Sequence, residues 1–206
     1  MRRWVLCGTI CGGLAVAWGA GCSEPTVEPA EQSSADPRVE AHKMLGPMYV
    51  IETALGEMRI VLDSKGAPNT AQRFVARAEA GAYDGTLFHR RIAVELIQGG
   101  RIEDGDPVEG PLGLETMTTE HVVGAVSMVR REDPEAGPRT PERQEFLESA
   151  GSEFFICLNR LPHLNGKYAV FAKVILGIEI ARKIGLSKGD IEIVRVRAAD
   201  KKREAL

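Results

Sequence analysis

Four cysteines and four histidines are the side chains of this chain best suited to nucleophilic or metal chemistry, and their placing removes most of it. Cys7 and Cys11 lie in an apolar N-terminal run, Cys22 follows the small residues Gly19, Ala20 and Gly21, and Cys157 sits in the apolar run from Phe154 to Leu158, the setting of a buried, inert thiol. His42, His89, His121 and His163 show no ligand spacing, so packed or solvated roles are the default and no metal or other cofactor is expected. There is no phosphate-binding loop and no internal repeat. What remains are the charged side chains, 26 Lys and Arg among them, any one of which, Arg90 included, reads in isolation as a solvated surface charge. A net charge of −3 argues against nucleic acid as a partner.

The elements that must position these residues begin after a leader. Arg2 and Arg3 precede an apolar stretch from Trp4 to Trp18, the layout of a secretory signal and short for the about 20 residues of a membrane-spanning helix. With Cys22 next, residues 1–22 resemble the signal of a bacterial lipoprotein, which implies lipidation at Cys22, anchoring through acyl chains and an exported protein at the envelope membrane. Residues 23–45 are rich in Glu, Pro, Ser and Ala and read as a flexible linker. Residues 46–200 carry the folded domain, and 201–206 form a charged tail.

Within that domain, Met48–Ile51 and Met58–Leu62 read as an antiparallel hairpin turning through Leu55 and Gly56. Asn69 or Thr70 is placed to cap a helix with Phe74, Val75 and Ala78 on one face, ending at Gly81, and a second helix runs from Ile178 to Ile184 before Gly185. Short β-rich runs at 96–98, 122–129, 154–158, 168–174 and 191–196 complete the pattern. Many short strands with two helices favour a closed barrel or a sandwich.

Three blocks in order carry a family resemblance. The first runs from Phe88 through Arg90, Glu95, Leu96 and Gln98 to Gly100, introduced by Tyr83, Asp84 and Gly85; the second is Gly124–Met128; the third runs from Ser152 to Ile156 and on through Leu164–Phe171. Together they resemble the cyclophilin-type prolyl isomerases over about residues 47–198. The resemblance implies a mainly β fold, an eight-stranded antiparallel barrel capped by two helices, probed by proline-containing or unfolded polypeptides along an outer groove and expected to be monomeric. It also implies roles: Arg90 as catalytic cation, Gln98 as its holder and a ligand of substrate backbone, and Leu96, Phe155 and Leu164 as walls of a proline pocket, with Met128 and His163 beside them.

The chemistry such a site performs is rotation about the peptide bond before proline, opposed by a barrier of about 18–20 kcal/mol because amide resonance is lost. A cation that donates to the prolyl nitrogen binds the twisted state more strongly than the planar one. Two departures bear on this. Glu95 stands where the family usually has phenylalanine and Glu153 where it usually has glutamine, so either carboxylate is expected to pair with Arg90 and draw it from substrate. The competing reading is therefore a weak or silent cyclophilin-like module that holds proline-containing or basic segments. Ala93 and Val94 replace the usual Pro and Gly, and Arg101–Asp104 a glycine-rich stretch. The segment 130–150 exceeds the family loop by roughly a dozen residues and is placed to act as a lid or partner contact, with a helical turn near Phe146 and Leu147.

Overall fold

The hairpin expected at the start of the domain is present: β1 (Met48–Thr53) and β2 (Gly56–Leu62) pair antiparallel with Thr53 opposite Gly56. The alternation that builds it puts Ile51, Met58 and Ile60 into the interior. The structure is a computed structural model that describes residues 46–102, 106, 115, 119–130 and 150–199. The leader with Cys22, the linker, the tail, residues 103–105 and the expected turn at Phe146 and Leu147 lie outside the described residues.

The remaining strands are β3 (Leu87–Phe88), β4 (Arg90–Ile92), β5 (Leu96–Gly99), β6 (Ala125–Met128), β7 (Phe154–Cys157), β8 (Val170–Leu176) and β9 (Ile191–Ala198). They form one antiparallel sheet in the order β3-β9-β1-β2-β8-β6-β7-β5-β4. The two end strands, β3 and β4, are separated in sequence only by His89. One bent segment thus pairs with β9 on one side and β5 on the other and closes the barrel, so that the nine assigned strands are the eight expected with one divided.

Helix α1 (Pro68–Glu79) plugs one side of the barrel, and its Phe74 meets the rings of Tyr49, Tyr83, Phe154 and Phe171 at centroid distances of 5.1 to 6.0 Å. Neither Asn69 nor Thr70 is the cap. The cap position is Ala67, two residues before Asn69, with Pro68 in the first turn, and the free amides are met from afar: Glu115 Oε1 accepts from the Asn69 backbone at 3.0 Å and Oε2 from the Thr70 backbone at 2.8 Å. Helix α2 (Ile178–Leu186) continues through Gly185 instead of stopping there. A Cβ at Gly185 would stand 2.8 Å from Leu158 Cδ1, so this glycine serves close packing rather than termination.

Strand alternation divides the apolar residues into two clusters. Phe154, Ile156, Ile97, Val126 and Met128 face the interior, while Leu96, Phe155, Cys157, Ala125 and Val170 form a second cluster on the outer face. That outer cluster is the floor of the site.

Candidate active site

Antiparallel register sets the site's central row. Arg90 on β4 faces Gln98 on β5, and Gln98 faces Phe155 on β7, so three strands bring a cation, an amide and an aromatic ring into line on one face. Leu96 joins them because it lies two residues from Gln98 on the same side of β5. Beyond the row, a short 3₁₀ turn at Pro162–Leu164 supplies His163 and Leu164.

These residues enclose a cleft of about 280 Å³ lined by Arg90, Glu95, Leu96, Gln98, Phe155, His163 and Leu164, joined by Ile92, Val129, Arg130 and Tyr168. Phe155 is 4% exposed and held from two sides, with His121 stacked parallel at 5.8 Å and Tyr168 edge-on at 5.4 Å. His121 is fixed in turn by Asn165, whose Oδ1 accepts from the His121 backbone and from Nδ1, each at 2.9 Å. Burial pushes the His121 imidazole below its ordinary value, against the Asn165 hydrogen bond and with help from His163.

Arg90 Nη1 donates to Gln98 Oε1 at 3.1 Å, and Gln98 Nε2 donates to Glu153 Oε2 at 2.6 Å. The other carboxylate oxygen of Glu153 accepts from Arg101 Nε at 2.6 Å, and His89 Nε2 lies 3.4 Å from Oε2. The expected pairing of Arg90 with a carboxylate is therefore absent from both positions. Glu153 stands behind Gln98, off the cleft wall, and is engaged by Arg101 from the segment that departs from the family. Burial acts to raise the Glu153 carboxyl, but hydrogen bonds from Arg101 and Gln98 and the charges of Arg101 and His89 prevail and hold it below the usual carboxylate range. Glu95 lines the cleft but is solvent-exposed, with its backbone carbonyl accepting from Leu158 at 2.6 Å.

Met128 belongs to the interior rather than the groove. It is 1% exposed and pairs with Phe154, because residues 126 and 128 of β6 point inward while Ser127 points outward. Its neighbours past the strand end, Val129 and Arg130, line the cleft instead; nothing in a basic pair opening a polar segment distinguishes Arg130 from a solvated charge in sequence. Tyr168 was equally silent, since its role depends on where β8 brings it.

Val94 occupies the left-handed region at φ +60°. The turn from Ile92 to Glu95 is closed by Glu95 N–H to Ile92 O at 3.0 Å, and its third position demands positive φ. Valine thus stands in a conformation that favours glycine, at a steric cost that a β-branched residue feels strongly. Gly100, at φ +74°, has no such latitude: a Cβ there would stand 2.7 Å from the Phe154 ring.

Among the described residues no group of three or more His, Cys, Asp or Glu side chains could hold a metal ion. Burial pushes the Cys157 thiol up to about 12, which leaves it unreactive at neutral pH.

Comparison with known proteins agrees with this geometry. The family model of cyclophilin-type peptidyl-prolyl cis-trans isomerases matches residues 48–200. Peptidyl-prolyl cis-trans isomerase ppi1 of Schizosaccharomyces pombe is 33% identical over 147 residues, 68% of this chain and 86% of that protein. Isomerase 9 of the same yeast is 31% identical over 154 residues, which are 71% of this chain but 23% of that longer protein. Among solved structures, a Cryptosporidium parvum cyclophilin-type isomerase in the presence of the dipeptide Ala-Pro superposes with a TM-score of 0.61 at 24% identity, over 75% of this chain and 99% of that one. With a barrel of this topology and a family match across the whole described domain, the chain belongs to the cyclophilin-type peptidyl-prolyl cis-trans isomerases.

Proposed function

We propose that this protein isomerises peptide bonds before proline in exported polypeptides, with Arg90 as the group that stabilises the twisted amide. The observation that carries the reading is the Arg90–Gln98 hydrogen bond at the edge of a cleft walled by Leu96, Phe155 and Leu164. The apolar walls receive the proline ring. As the amide twists, its nitrogen regains a lone pair, and a guanidinium N–H donates to it; the donor is already oriented, so little reorganisation is needed in the transition state. Gln98 accepts from Arg90 while Glu153 occupies one of its amide hydrogens, which makes Gln98 first a positioning residue and leaves its second N–H for substrate backbone. The silent-module reading drew in part on a carboxylate pairing with Arg90, and the acceptor that meets Arg90 is the Gln98 amide.

The test is prolyl exchange in short peptides by NMR, with Arg90→Ala against wild type. A loss of about 10²–10³-fold in kcat/KM is expected from removal of one transition-state donor. Its exposed side chain predicts an unchanged melting temperature. Equal rates for the two proteins, at the uncatalysed value, would overturn the assignment.

The leader supports export and attachment to a bacterial envelope membrane through a lipidated Cys22. Both tryptophans, Trp4 and Trp18, leave with it. The processed protein should lack tryptophan fluorescence, and Cys22→Ser should release it from the membrane fraction; retention of either property would remove this localisation.

A further inference from the structure

Arg130 is the second cation of the cleft, and nothing in the catalytic reading uses it. It follows β6 directly, where the neighbouring Val129 N–H is bonded to Glu153 O at 2.8 Å, and it lines the same cleft as Phe155, Leu164 and Tyr168. It is only 5% exposed. None of its three guanidinium nitrogens has a hydrogen-bond partner among the described residues. Burial lowers the guanidinium to about 10, which leaves it cationic at neutral pH; Tyr168 and Glu115 act in the opposite direction.

Among the described residues, the two carboxylates that bear on it, Glu115 and Glu95, are engaged or screened elsewhere. Both oxygens of Glu115 are held at the start of α1 by Asn69 and Thr70. Glu95 is exposed to water in the β4–β5 turn, where its charge is screened. A buried guanidinium without a partner is costly, and its planar fork matches a carboxylate through two parallel hydrogen bonds. A cleft of about 280 Å³ has room for a proline ring and part of an adjacent residue, which puts a neighbouring side chain near this wall.

We propose that Arg130 forms an anion-recognising subsite of the cleft, selecting segments with a side-chain carboxylate on the residue before or after proline. The proposal rests on the proline-binding reading of the cleft for its location and on Arg130 alone for its charge preference. It reverses the bias toward cationic segments that Glu95 suggests, because an interaction with the buried charge is screened far less than one with an exposed charge.

The experiment uses the full chain and end-capped peptides in matched pairs, Ala-Glu-Pro-Ala against Ala-Gln-Pro-Ala and Ala-Ala-Pro-Glu against Ala-Ala-Pro-Gln. Affinity is measured by titration and exchange by NMR, for wild type and Arg130→Gln. Wild type should favour glutamate over glutamine at least fivefold in one pair, and the pair that responds tells which side of proline is read. In Arg130→Gln that ratio should fall to about one; because the ratio is taken within each protein, any change in basal activity cancels. A wild-type ratio of one or less in both pairs, the same preference in Arg130→Gln, or no binding of any peptide would overturn the subsite. If the peptides bind but none exchanges, the isomerase reading fails while the affinity ratios still decide Arg130. Arg130→Met should also raise the melting temperature of the unliganded protein, since it removes an unpaired buried charge. A fall of several degrees would make Arg130 a structural cation and overturn the proposal.

Discussion

Glu153 accepts the Gln98 amide N–H at 2.6 Å and thereby turns the carbonyl end of that amide toward Arg90. An amide can face either way, and only the present orientation gives Arg90 an acceptor. Glu153→Ala should leave Gln98 without this anchor and lower kcat/KM about tenfold, the scale of a lost hydrogen bond to a charged group. Glu153→Gln can still accept from Gln98 through its own carbonyl, and its activity should stay within about threefold of wild type, as its pairing with the half-exposed Arg101 contributes little. A fall in both variants alike, or in neither, would contradict a positioning role.

Val94 is held at φ +60° with two-thirds of its surface exposed, so the valine side chain returns little burial for its strain. Val94→Gly should stabilise the protein by about 0.5–1 kcal/mol, the left-handed penalty of about 1–2 kcal/mol less the entropy lost by glycine on folding. Urea denaturation of the two proteins measures this directly. A less stable glycine variant would show that the turn carries no strain.

Two groups make stability depend on pH in the same sense. His121 has a folded value lowered from 6.5, so its contribution is complete above pH 6.5 and declines as pH falls from there through the lowered value. Glu153 is lowered from 4.5, and its contribution is lost in a second, more acidic window below pH 4.5. Denaturation midpoints should thus decline on acidification below pH 6.5, and His121→Gln should flatten the first part of that decline while leaving the second. An unaltered profile in the variant would remove His121 as the source. Because His121 stacks on Phe155, activity should fall in parallel with the first window.

Much of the site was legible because its residues lie in contiguous runs. The segment from Phe88 to Gly100 holds both a strand pair and the turn between them, so local sequence contains Arg90, Leu96 and Gln98 together with the geometry that aligns them. Phe154 and Phe155 were separable in advance as core and groove because side chains alternate along a strand. Met128 failed the same test: the alternation was there to be read, but its phase is set by pairing with β7 and β8. The start of α1 was misread for a related reason, since its capping carboxylate comes from Glu115, remote in the chain.

Sequence alone determined a β-rich domain with two short helices, which is a matter of periodicity and short-range spacing, and it placed Arg90, Leu96, Gln98, Phe155 and Leu164 in a site only through their resemblance to a known family. Which charges meet was decided only by tertiary structure: Glu153 turned to Gln98 and Arg101 instead of Arg90, and the buried Arg130 guanidinium has no hydrogen-bond partner among the described residues. The physical reason is that electrostatic pairing depends on distance, orientation and exposure across strands, and sheet closure sets all three at once.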